Sequence, residues 1–207
     1  MSRLMREARV SNSENVLQTR NEEFQMQDHA RNDTQQQPQR PELDDETIEF
    51  ATKVFDLARA GDAKTLGALL AQGLPPNLRN EKGDSLVMLA SYHGHVDAVR
   101  VLLEHDADPD LRNNMGQTPI AGAAFKGNLP MIELLLTHGA DIEGASPDGR
   151  TALMMAAMFN RTEIVDYLVA HGANVSARDS GGHDAAASAA RMGAPDTPAQ
   201  IERLQRQ

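Results

Sequence analysis

From residue 44 onward the apolar positions fall into paired clusters that return every thirty-three residues. One cluster reads SLVMLASYH, and one and two periods later the chain reads TPIAGAAFK and TALMMAAMF. The second cluster reads VDAVRVLLEH, LPMIELLLTH and TEIVDYLVAH in successive periods. Within it Val96, Val99, Leu102 and Leu103 are spaced to share one face of a helix. Three columns keep the same period: Gly83, Gly116, Gly149 and Gly182; Gly61, Gly94, Gly127, Asn160 and Gly193; Gly73, Asp106, Gly139 and Gly172. A recurrent glycine marks a tight turn or a backbone position that needs positive φ. Each period therefore predicts a helix, a turn, a second helix and a longer polar connection.

A unit of this size cannot bury its apolar faces alone, whereas stacked copies can, and the product is a solenoid. The motifs TPIAGAA (residues 118–124) and TALMMAA (residues 151–157), with GAD and GAN at Gly139 and Gly172, resemble the ankyrin repeat family. The resemblance covers residues 50 to about 195. It implies an all-α ankyrin-repeat solenoid of helix-turn-helix units joined by β-turn loops. The repeats begin near 50, 83, 116 and 149, and a degenerate closing unit spans 182–207.

The ends read as solenoid ends. Ile48, Ala51, Phe55 and Ala58 share one face of a first helix, with Asp44 or Asp45 placed to cap it. Thr197-Pro198-Ala199-Gln200 has the form of a capping box with proline in the first helical position. It opens a last helix holding Ile201 and Leu204, displaced about four residues from the repeat register. Three positions depart from the family pattern. The signature histidine, which in the family bonds across repeats, is replaced by Met88, Ala121, Met154 and Ala187, so packing is expected to take over. Asp106 stands in a glycine column at the expected left-handed end of a helix. Gly122 interrupts a first helix and is expected to admit a close neighbouring helix.

Residues 1–43 differ: seven glutamines, scattered charge and few large apolar side chains predict disorder, with a weak helix at 16–26. Six arginines against seven acids leave that segment nearly neutral, so residues 44–207 carry about −9 of the net −10. An acidic domain without a basic stripe argues against nucleic acid as partner. The longest apolar run, residues 152–159, is too short to cross a bilayer. The N-terminus lacks the apolar stretch of a secretory signal, and Glu7 and Glu14 count against a mitochondrial presequence despite Arg3, Arg6 and Arg9. With no cysteine, disulfides and thiolate metal sites are excluded, and a cytoplasmic monomer is expected.

Catalytic constellations are missing. DADPD (residues 106–110) begins like a calcium loop but has Leu111 at position six and Gln117 at position twelve, where glycine and a bidentate glutamate are required. His105, His138 and His171 recur one repeat apart, roughly 10 Å at helix-packing distance, too far to share a zinc ion. SGGHD (residues 180–184) groups serine, histidine and aspartate without a nucleophile elbow. Neither an enzyme, a metal nor a cofactor is expected.

The resemblance implies that recognition uses the concave side, formed by turn tips and the exposed ends of first helices. The positions that map there and vary between repeats are Glu81, Lys82 and Asp84; Asn114, Met115 and Gln117; and Pro147, Asp148 and Arg150 at the turns. On the helices they are Tyr92 and His93, Phe125 and Lys126, and Met158 and Phe159. These six helix positions hold three of the chain's seven aromatic residues, the type that interfaces favour. Packing of the rings on neighbouring repeats is the competing explanation. The expected function is a non-catalytic adaptor or scaffold binding a partner protein with a basic or mixed-charge surface. The alternative is an inhibitor or immunity-type protein that occludes one enzyme.

Overall fold

The computed structural model describes residues 44–206. The disorder expected at residues 1–43 and the helix expected at 16–26 lie outside the described residues. The described residues form ten helices: α1 Asp45–Ala60, α2 Ala63–Ala71, α3 Leu86–Tyr92, α4 Val96–Glu104, α5 Pro119–Lys126, α6 Leu129–Thr137, α7 Ala152–Met158, α8 Thr162–Ala170, α9 Ala185–Met192 and α10 Thr197–Leu204. The described residues contain no strand, only an isolated antiparallel bridge between Arg79 and Ser85. Each odd-numbered helix packs on the even-numbered helix that follows it, and α1, α3, α5, α7 and α9 stack in series.

The stack follows from columns of equivalent side chains. Val54, Val87, Ile120, Leu153 and Ala186 recur at thirty-three residues and are all buried. Ala90, Ala123, Ala156 and Ala189 form a second column with no exposed surface, and their small size lets successive odd helices approach closely. In the even helices Leu66, Val99, Ile132 and Val165 are fully buried, as are Leu102, Leu135, Leu168 and Ile201. Ile201 thus takes the next place in its column, although the closing helix begins at Thr197, two residues later than the period from Leu129 and Thr162 places it and less than the expected four. At the other end Ile48 is 49% exposed and Ala51 half-buried, and Val54, outside the predicted face, is buried beside Phe55 and Ala58.

Polar ties between repeats do exist, on the loops. Asn77 Oδ1 accepts the Asp108 N–H at 2.8 Å, the Asp110 carboxylate accepts the Asp141 N–H at 2.9 Å, and Glu143 Oε1 accepts the Asn174 N–H at 2.8 Å. Asn77, Asp110 and Glu143 are themselves one period apart, so one rung recurs at three junctions. Burial, and the nearby Asp108 and Asp141 carboxylates, raise the Asp110 pKa above its ordinary value, against the lowering effect of the Asp141 N–H. The Arg79 guanidinium donates to the Arg112 carbonyl, and Arg112 Nη1 to the Ala145 carbonyl at 2.5 Å. These rungs, and not packing alone, stand in for the absent histidine tie.

The capping box at residues 197–200 does not form. Thr197 Oγ1 donates to the Ala157 carbonyl at 2.6 Å, and Gln200 Nε2 donates to the Thr162 carbonyl and to Asp166 Oδ1. Both side chains are buried against the preceding repeat, where a tertiary partner outcompetes the local cap. Gly122 opens onto free space: a Cβ there would meet nothing within 4 Å, so no neighbouring helix uses the gap.

Asp106 adopts φ 62°, as its glycine column requires. Its equivalents Gly73, Gly139 and Gly172 have positive φ and room for a Cβ, so backbone strain, and not a clash, makes aspartate unfavourable. The acid also sits beyond the negative end of the α4 dipole. Asp106→Gly is expected to stabilise the domain by about 1 kcal/mol. A thermal melt checks this, and an unchanged or lower Tm contradicts the assignment.

Candidate functional site: a groove between the turn tips and the odd helices

Four equivalent turns project between the helix pairs, at residues 80–84, 113–117, 146–150 and 179–183. Each is closed by the same two backbone bonds, such as Asn113 N–H to Gln117 O and Gly116 N–H to Asn113 O. Asn80, Asn113 and Asp179 stiffen their turns from within. Each Oδ1 accepts the N–H groups two and four residues on, at 2.9–3.0 Å. In the second of these turns the contacts are to Met115 and Gln117. The His183 and Gly181 N–H groups, with the His183 ring, hold the Asp179 carboxyl below its ordinary pKa despite some burial. Gly116 lets successive turns stack, because a Cβ there would lie 2.3 Å from the Pro147 ring.

The odd helices begin where these turns end. Ser85, Thr118, Thr151 and Asp184 cap α3, α5, α7 and α9 by accepting the N–H three residues on. Each cap fixes the angle at which a helix leaves its turn. Turns and helices thereby enclose a groove in two contiguous parts. One, of about 630 Å³, is lined by Met88, Tyr92, Met115, Phe125, Pro147 and Met155, with the small residues Ala121 and Gly122 at its floor. The other, of about 600 Å³, is more polar, with Met158, Asp179, His183, Ser188, Arg191 and Met192 on its walls. Asp148 and Arg150 line both parts and join them through an ion pair at 3.2 Å.

Of the positions expected from sequence, Tyr92, Met115, Gln117, Phe125, Pro147, Asp148, Arg150 and Met158 line this groove. Tyr92 is 47% and Met115 71% exposed, large apolar surfaces left open to solvent. Glu81, Lys82, Asp84, His93, Asn114, Lys126 and Phe159 do not line it. Asn114 instead ties turns together, its Nδ2 donating to the Glu81 carbonyl at 2.9 Å, and Asp84 accepts from Asn113 Nδ2. Lys126 places its Nζ 4.0 Å from the Tyr92 ring centroid, a cation–π contact across the repeat junction at the rim. Phe159 meets Phe125 edge to face, centroids 4.5 Å apart, and is half-buried against it without lining the groove. Phe125 and Phe159 are thus half-buried and packed across a repeat junction, as the competing explanation has it, while Tyr92 stays 47% exposed beside its contact with Lys126.

Several lining residues were not foreseen. Arg191 and Met192 continue the columns of Tyr92 and His93 into the degenerate unit, and extending the period once more would have found them. Met88 and Ala121 stand in the signature-histidine column, which faces the groove as well as the core.

The near-catalytic motifs have structural uses. His105, His138 and His171 end α4, α6 and α8, each ring Nδ1 at 2.8–2.9 Å from the carbonyl four residues back. Among the described residues no group of three or more His, Cys, Asp or Glu is placed to hold a metal. In SGGHD, His183 Nδ1 lies 3.2 Å from Asp179 Oδ1, within the turn that Asp179 stiffens, and Asp184 caps α9.

The family model for ankyrin repeats in three copies matches residues 54–146, and that for a single ankyrin repeat matches residues 148–180. The chain belongs to the ankyrin repeat family. A Pseudomonas aeruginosa protein named for its ankyrin repeats, PA3287, is 69% identical over 62 residues, which is 30% of this chain and 36% of that protein. The chain thus matches about a third of that relative's length. Ankyrin repeats are in general protein–protein interaction modules, and the groove described above lies where their turns meet their first helices.

The two roles of the rings separate by stability. Phe159→Ala removes an edge-to-face pair and a half-buried ring, and is expected to cost about 2 kcal/mol in urea unfolding. Tyr92→Ala forfeits one exposed cation–π contact, about 0.5–1 kcal/mol. Equal losses would contradict this division.

Proposed function

We propose that this ankyrin repeat domain is a non-catalytic adaptor that holds a partner protein in the groove between residues 81 and 159, extended to Met192. The observation that carries the proposal is the large exposed apolar surface of Tyr92 and Met115 in a groove otherwise built from rigid parts. Capped helices and internally bonded turns leave little to be ordered on binding, which favours affinity. Methionines on the wall adapt to an apolar ligand without a fixed shape. The acidity of the domain attracts a partner of basic or mixed surface at long range, chiefly through the association rate. Among the described residues no helix is long and apolar enough to cross a membrane. The absence of cysteine from the sequence suits a monomer working in the reducing cytoplasm.

Pull-down from the native cell extract with the full chain, beside Tyr92→Ala/Met115→Ala, tests the proposal. Loss of a specific band with an unchanged thermal melt is expected. Retention of every band by the double variant contradicts it. One stoichiometric partner held at nanomolar strength would mark a dedicated inhibitor instead.

A further inference from the structure

The charge of the domain is not spread evenly over its helices. The groove-side helices α3, α5, α7 and α9 contain no aspartate or glutamate, and their only charged residues are Lys126 and Arg191. The even helices α2, α4, α6 and α8 carry Asp97, Glu104, Glu133, Glu163 and Asp166 against Lys64 and Arg100. The even helices thus carry −3 of the domain's about −9, and most of the remainder lies in α1 and in the turns and loops, so the cations of the groove-side helices stand out locally and not because the acids are confined to one layer.

The carboxylates that do line the groove are already committed. Asp148 is paired with Arg150 and accepts from the Ser146 hydroxyl. Asp179 is bonded by two backbone N–H groups and the His183 ring. Arg191, by contrast, is exposed on the wall of the polar part and makes no hydrogen bond or ion pair among the described residues. Lys126, exposed at the rim of the apolar part, meets only the Tyr92 and Phe125 rings. The groove thus offers an apolar surface, the unpaired Arg191 on its polar wall, and at its rim Lys126, whose ammonium meets only aromatic rings and no carboxylate.

From this complementarity we propose that the occupant of the groove is an extended acidic peptide segment of the partner: an apolar side chain seated among Tyr92, Phe125, Met115 and Met155, with carboxylates reaching Arg191 and Lys126. The inference rests on the groove being the binding site, as proposed above. Arg191 lies one to two repeats from the apolar part, roughly 10–20 Å at helix-packing distance. An extended chain covers that in roughly three to six residues. Arginine is the better anchor of the two, since its planar fork can take a carboxylate bidentately. Overall negative charge repels such a segment only at a distance, where salt screens it; at the groove the nearer charges of Arg191 and Lys126 act.

Selection of random dodecapeptides displayed on phage against the full chain tests the proposal, with Lys126→Glu/Arg191→Glu and Lys126→Gln/Arg191→Gln selected in parallel. Both positions are exposed, and circular dichroism melting verifies the fold of each variant. Wild type is expected to enrich peptides with an aromatic or aliphatic residue and Asp or Glu roughly three to six positions away. The glutamine variant is expected to bind those peptides roughly tenfold or more weakly, and the glutamate variant to select basic ones. Enrichment of neutral or basic apolar peptides by wild type, displaced by Tyr92→Ala/Met115→Ala, overturns the acidic assignment and leaves the groove as the site. No enriched peptide sensitive to that double variant overturns both readings.

Discussion

Everything in this molecule depends on each repeat burying its apolar face against the next. A single helix pair has no inside; Val87, Ile120 and Leu153 become core only because copies of the unit stand on either side. Burial of a large aliphatic side chain contributes about 1.5–3 kcal/mol, and the columns repeat that contribution at every junction. The alanine column at 90, 123, 156 and 189 sets how closely the odd helices lie. That spacing in turn brings the turns into contact, so that a glycine is required where Asn114 or Pro147 leans on its neighbour. The groove is a by-product of the same stacking: turns on one wall, helices on the other, both held before any ligand arrives.

Because the stack is held by nearest neighbours, its polar bonds follow the same period. The carboxylate and amide acceptors of Asn77, Asp110 and Glu143 reach the backbone of the following repeat, and arginines do the same two residues further on. These bonds are solvent-exposed, so each contributes only about 0.5–1.5 kcal/mol net. They also fix the relative rotation of adjacent units, and hence the shape of the groove. At the closing end Thr197 and Gln200 perform this task with side chains that a sequence pattern reads as a local cap.

Much of this was legible in the sequence, for definable reasons. A glycine column reports a backbone angle directly, and the positive φ of Asp106 and Asn160 could be read from their neighbours in the column. The turn residues Met115, Pro147 and Arg150 and the helix-end residues Tyr92 and Phe125 could be placed on one surface because the period fixes equivalence. What the period does not carry is where a side chain points within its column. Phe125 and Phe159 share a composition signal and pack on each other, yet of the two Phe125 lines the groove and Phe159 does not. Asn114 occupies a turn-tip position but spends its amide on the adjacent turn. Arg191 was overlooked because the closing unit is degenerate in letters, although its helix keeps the register.

On this reading the varying residues of one face, and not the acidic even helices, contact the partner. Photo-crosslinking in the native cell tests it most directly, with a benzophenone amino acid placed at Met115, at Tyr92 or at Glu133, the last exposed on α6. The account predicts an adduct of the same mass from Met115 and Tyr92 and none from Glu133. An adduct formed from Glu133 while the groove positions give none would contradict it.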